Sequence, residues 1–229
     1  MLPGPDRKIT CPHCSHEALA RSYLSGNTFG ACLWSDGFLS APMMGERSPI
    51  LQCDACQALS WSSEWEMVGE LDGWGQVTPE PLSHEERASL SYARSPQHLE
   101  LELVKASSLW VITLRRKDAL RLLLWDLNDT ERHRALTEEE REQKTEKLSE
   151  LLSELDLLMP TLLRLSRLTS EDHIMRAELL RSLERYDEAL EALQLVSDEE
   201  LTEVVSALTQ ACEERDPTLK VLQGSPRHR

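Results

Sequence analysis

The sequence predicts an α+β protein in two parts, a small β-rich metal-binding module followed by an all-α helical region. Three observations lead there. Two Cys-x-x-Cys pairs, Cys11/Cys14 and Cys53/Cys56, fall early in the chain. Composition changes near residue 80: residues 1–80 hold four of the six Trp and little helical periodicity, while residues 83–216 are rich in Leu, Glu, Arg and Ala, with leucines recurring at three and four residues. Between them, Thr78-Pro79-Glu80-Pro81 reads as a linker, because each proline disfavours helix at the residue before it. The expected parts are 1–80, 81–222 and a short polar tail, 223–229, without order.

In the first part, two residues between cysteines let both thiolates of a tight turn face one cation. Two such turns brought together make the tetrahedral S4 shell that Zn²⁺ favours. The expected ligands are Cys11, Cys14, Cys53 and Cys56, holding one Zn²⁺. Four thiolates close the shell, whereas catalytic zinc keeps a position open for water, so the expected role is structural. Three disulfides from six cysteines would suit a small secreted chain; at 229 residues this one is not small, and it is not expected to be exported. Thr28–Leu39 reads as a hairpin turning at Asp36-Gly37. Pro49–Gln52 is expected as the strand entering the second cysteine turn and Ala58–Trp61 as the strand leaving it. Cysteine turns linked by short antiparallel strands describe a zinc ribbon. The long Cys14-to-Cys53 separation is affordable, since closing a longer loop costs only ~0.6 kcal/mol per doubling. With four thiols at hand, His13 and His16 read as surface imidazoles near the metal, and Cys32 and Cys212 as small buried apolar residues.

In the second part, Ser83-x-x-Glu86, Thr137-x-x-Glu140 and Ser197-x-x-Glu200 are capping-box patterns. They accompany helices expected over 84–93, 97–114, 116–127, 138–158, 171–184, 187–195 and 198–215. Pro160 is expected to end one of these, Asn128-Asp129 to interrupt another, and Pro217 to follow the last. Glu138-Glu139-Glu140 complements the positive end of its helix dipole. Leu148, Leu151, Leu152 and Leu155 are assigned to the internal core, as are Trp110 and Trp125 on their leucine stripes.

The segment Arg176–Val196 resembles the turn and flanking helix faces of a tetratricopeptide repeat. Ala177 and Ala189 stand at the close-contact positions, Tyr186 at the turn aromatic, and Leu193 at the large apolar position beyond. Glu184 stands where the repeat prefers Gly, and no Pro closes the unit. A single copy must stack on neighbouring helices to bury its face. The N-terminal order of cysteine turn, Ser-Gly-Asn-Thr-Phe-Gly-Ala-x-Leu-Trp-Ser-Asp-Gly, cysteine turn and aromatic strand resembles uncharacterised bacterial proteins that join a zinc ribbon to a helical, repeat-like tail. That resemblance implies an architecture and no activity. Ser15 and Gln57 take the place of the Gly usual in ribbon knuckles, which implies either backbone strain or a different turn shape.

Charge and motifs then narrow the function. The net charge is -15 with a pI near 4.9. Residues 1–80 carry four Lys/Arg against ten Asp/Glu, the wrong sign for phosphate. Trp34, Trp61, Trp65 and Trp74 offer stacking faces for bases, but in a small module they read first as core. The best phosphate candidate is the basic cluster Arg115-Arg116-Lys117 with Arg121. No P-loop, GxGxxG, HExxH or Gly-x-Ser-x-Gly is found. No run approaches the ~20 apolar residues of a membrane helix, and Met1–Lys8 lacks the apolar stretch of a signal peptide. The expectation is a non-enzymatic zinc-binding adaptor or scaffold in the bacterial cytoplasm, engaging a protein partner. The alternative is a nucleic-acid-associated regulatory factor using the cluster at 115–121.

Overall fold

A computed structural model describes residues 2–44, 48–71, 77–96 and 113–223. They divide into two units, Met1–Phe29 with Pro42–Trp110, and Gly30–Ala41 with Val111–Arg229. Small β-sheets dominate the first and helices the second, as an α+β chain requires. The expected helix over 97–114 falls almost entirely outside the described residues, as do Trp74 and Trp110. Among the described residues no helix is long and apolar enough to cross a membrane.

The first unit contains the following strands. β1 (Leu2–Pro3) pairs with β4 (Tyr23–Ser25). β2 (Arg7–Thr10) lies between β3 (Glu17–Ala20) and β9 (Glu66–Met67). β7 (Ile50–Gln52) pairs antiparallel with β8 (Leu59–Trp61), the strands expected around the second cysteine turn. β10 (Gly69–Leu71) pairs with β11 (Val77–Pro79), and at Gly69 the Thr78 carbonyl approaches so closely that no Cβ fits. Ile9, Cys11, Ala18, Cys53 and Trp65 form the core, with Ala20, Leu51 and Ala93 packed against it. Helix α1 (His84–Ser89) starts at the expected capping box, Ser83 Oγ accepting from Glu86 N–H at 3.2 Å. It stops four residues early. Ser91–Arg94 is extended instead and lies in the first unit, not with the helices.

In the second unit, α2 (Thr113–His133) runs through Asn128-Asp129 without a break. The reason is visible in Asn128, which is buried and donates to Asp36 Oδ2 at 2.9 Å instead of turning the chain. Helix α3 (Glu138–Arg164) begins at the Thr137/Glu140 capping box and buries Leu148, Leu151, Leu152 and Leu155 as expected. It does not end at Pro160. Leu158 and Leu162 are buried on either side of that proline, and their packing outweighs one missing backbone bond. α4 (Ser170–Ser182) is buried nearly all round and packs on α3, on α5 (Tyr186–Leu193) and on α6 (Thr202–Glu213). The last of the three sequence capping boxes does not form; Asp198, not Ser197, caps a 3-10 turn at Glu199–Leu201 that precedes α6.

The hairpin between the cysteine turns belongs to this helical unit. β5 (Cys32–Trp34) pairs with β6 (Leu39–Ser40) and, on its other edge, with β12 (Val221–Gln223), the chain's return after α6. The expected two-residue turn is a three-residue loop, Ser35–Gly37: Gly37 N–H meets Trp34 C=O, Trp34 N–H meets Phe38 C=O, and Gly37 takes φ +78°. Asp36 forms a buried ion pair with Arg132, whose guanidinium also lies 4.1 Å from the Phe38 ring centre. Trp125 Nε1 donates to Asp36 O at 3.0 Å. Buried Ser35 donates to Glu178 Oε1 at 2.8 Å, and Glu178 takes two hydrogen bonds from fully buried Arg181. Arg181 in turn donates to the carbonyls of Asp216 and Thr218, tying the C-terminal return to α4.

Candidate metal centre

Each cysteine turn is built the same way. Cys11 N–H donates to His16 O at 2.9 Å and Ser15 N–H to Cys11 O at 3.0 Å; Cys53 N–H donates to Ala58 O at 3.1 Å and Gln57 N–H to Cys53 O at 2.9 Å. The residue that reverses the chain, Ser15 or Gln57, sits at φ 59° in both. Of the two outcomes expected for a missing glycine, the turns keep one shared shape and accept the strain, roughly 1–2 kcal/mol for a side-chain-bearing residue in left-handed backbone. In each turn the first cysteine is buried and the second exposed.

The two turns bring all four thiols together, every Sγ within 4.8 Å of the others. Cys11 Sγ lies 3.9 Å from Cys56 Sγ, and Cys14 Sγ 3.6 Å from Cys53 Sγ. A tetrahedron with Zn–S bonds of 2.3 Å has edges of about 3.8 Å, so the donor set fits a tetrahedral thiophilic cation. Backbone N–H groups aim at the sulfurs, His13 N–H lying 3.4 Å from Cys11 Sγ. At Cys53, burial works against ionisation, but the N–H groups of Cys56 and Ala55 and the neighbouring thiols outweigh it and lower its pKa. At Cys14 the His16 N–H favours the thiolate, yet desolvation and the three neighbouring sulfurs push the pKa up to about 12. Four sulfurs this close resist ionising together, and a divalent cation is what allows it.

His13 is exposed and His16 half-buried, and the cluster takes no imidazole. Cys32 and Cys212 are buried, their thiols pushed up in pKa by desolvation. Trp34, Trp61 and Trp65 are buried, and Trp65 Nε1 donates to Ser60 Oγ at 2.9 Å. The basic cluster is engaged by carboxylates: Arg116 with Glu154 at 2.9 Å, Lys117 with buried Asp172 at 3.3 Å, and Arg121 with Glu171 at 3.0 Å. In the segment read as a helical hairpin, Ala177, Ala189 and Leu193 are buried where α4 and α5 meet, and Tyr186 Oη donates to Arg215 O at 3.1 Å. The stretch Ser91–Arg94, beside both cysteine turns, carries no metal-ligand or turn motif that marks it in the sequence. No protein-family model, curated protein or solved structure matches the chain.

Proposed function

We propose that this chain is a non-enzymatic adaptor or scaffold of the bacterial cytoplasm, stapled by one structural Zn²⁺ and offering its helical unit to a protein partner. The observation that carries the metal half is the four-thiol cluster, whose separations match a sulfur tetrahedron. Bound there, zinc supplies a cross-link between two turns and no open position for water. Cys11, Cys14, Cys53 and Cys56 hold it, and their buried members anchor it to the Ile9–Ala18–Trp65 core.

The partner half is supported by the α4–α5 hairpin, which we read as a single tetratricopeptide-like unit, and by Leu157, Leu163, Leu165 and Leu195, which the helical unit leaves exposed. The pairing of Arg116, Lys117 and Arg121 with carboxylates leaves the nucleic-acid alternative without a specific observation in its favour.

Affinity capture of the tagged full chain, with and without nuclease and with elemental analysis of the eluate, tests both halves. The expected result is one zinc per chain and a near-stoichiometric protein that survives nuclease. Metal-free protein would overturn the staple, and material lost on nuclease treatment would overturn the protein partner.

A further inference from the structure

The two cysteine turns sit on separate hairpins, β2/β3 and β7/β8, and the extended stretch Ser91–Arg94 bonds to both. Leu19 N–H donates to Ser91 O at 2.8 Å and Ala93 N–H to Leu19 O at 2.8 Å on the first hairpin. Gln52 N–H donates to Arg94 O at 2.9 Å on the second, one residue before Cys53. Side chains repeat the pattern. Ser91 Oγ donates to Asp54 Oδ2 at 2.9 Å and Arg94 Nε lies 3.1 Å from Asp54 Oδ1, so both oxygens of the residue inside the Cys53–Cys56 turn are held from the stretch. Toward the N-terminal strands, Tyr92 Oη donates to Asp6 Oδ2 at 2.7 Å, and Arg87 of α1 pairs with the same carboxylate. Ala93 packs on the cluster that contains Cys11 and Cys53.

We propose that Ser91–Arg94 is a clasp for the metal centre, with Ser91 and Arg94 acting as positioning residues for the second cysteine turn, so that clasp docking and metal binding are one coupled equilibrium. This rests on the zinc reading above. The clasp bonds to a fixed arrangement of the two hairpins, and a cation shared by four sulfurs fixes that same arrangement. Each therefore favours the state the other needs, and the coupling is reciprocal. Metal loss releases the clasp, and an undocked clasp loosens the metal. The centre thereby controls whether residues 91–94 are bound or free, a regulation of this site that the cysteine spacing alone does not contain.

The test uses the full chain and Zn²⁺ itself. Zinc affinity is measured by competition with a chromophoric chelator for the wild type, the Ser91→Ala/Arg94→Ala double variant, Ser91→Thr, and Ser22→Ala. The last removes a 2.6 Å hydrogen bond to Pro5 O in the same unit that touches neither cysteine turn. The double variant should bind zinc about tenfold more weakly, as loss of groups that orient metal ligands does. Ser91→Thr and Ser22→Ala should stay near the wild type. In the wild type, hydrogen exchange at the Leu19, Gln52 and Ala93 amides should accelerate when zinc is chelated. Unchanged affinity in the double variant, or exchange at those amides indifferent to zinc, would overturn the clasp. A wild type that binds no zinc at all is a different failure, read from stoichiometry in the same titration, and it would overturn the metal reading beneath it.

Discussion

Ser166, Glu184 and Arg215 hold left-handed backbone at the ends of α3, α4 and α6, with φ of 54°, 60° and 53°. Each closes a Schellman motif. Arg167, Arg185 and Asp216 N–H groups reach back to Leu162, Leu180 and Ala211 carbonyls, and the left-handed residue itself donates to Leu163, Arg181 or Cys212. Glycine is the residue that takes this conformation without cost, and none of the three positions has it. Glu184→Gly should therefore stabilise the chain by about 0.5–1 kcal/mol, the relief of left-handed strain less the extra freedom glycine gives the unfolded chain. Glu184→Ala should give no such gain, and an equal rise in urea midpoint for both would remove strain as the cause. The same absence of glycine explains why helix ends were hard to read. With no Gly after Leu165, Pro160 was the only stop signal near the end of α3, and it was a false one.

At the scale of elements, the hairpin β5/β6 shows what local sequence carries and what it leaves out. Asp36-Gly37 marked the turn correctly, because turn chemistry is local. Its destination was not marked, because β5 pairs with β12 from the far end of the chain and Asp36 is buried against Arg132 and Asn128 of α2. Nothing in a strand's own residues names so distant a partner. Residues 91–93 read as helix for a related reason: the Ser83/Glu86 box marks a helix, and α1 does start there, but backbone bonds to Leu19 and Gln52 draw the following residues into extended chain. Within each cysteine turn, by contrast, the two-residue spacing is a local property that the sequence displays, while the left-handed backbone at Ser15 and Gln57 is one of two shapes it leaves open. The buried pair gives a prediction at this scale. Asp36→Ala leaves the Arg132 guanidinium buried without its carboxylate and should cost about 3–5 kcal/mol. Asp36→Ala/Arg132→Met, which removes both charges and keeps apolar volume against Phe38, should recover part of that loss, the Asn128 amide still lacking its acceptor. Thermal unfolding of the two variants checks it, and equal destabilisation would mean that packing of the loop, not the charge, sets the cost.

At the scale of the whole molecule, the chain passes from the first unit into the second at residue 30, returns at 42, and leaves again at 111. The cysteine turns and the helices therefore occupy segments interleaved in sequence. Among the described residues of the first unit the large buried side chains are few, Ile9, Leu19, Ile50, Leu59, Trp61 and Trp65 among them. Structural zinc in small domains contributes on the order of 10 kcal/mol to folding, so zinc bound at the four-thiol centre, as proposed, would carry much of this unit's stability. The second holds its own leucine core on α2, α3 and α4, together with the Glu178–Arg181 and Asp36–Arg132 networks. Cys53→Ser should thus empty the metal centre and release protection at the Leu19, Gln52 and Ala93 amides. The Trp34 and Gly37 amides, in a hairpin flanked on both sides in sequence by the first unit, should stay protected along with α3 and α4. Hydrogen exchange resolved by peptide separates the two sets in one experiment. If the hairpin opened with the cysteine turns, the metal would be holding the whole chain, and the division at residues 30 and 42 would not describe how this protein unfolds.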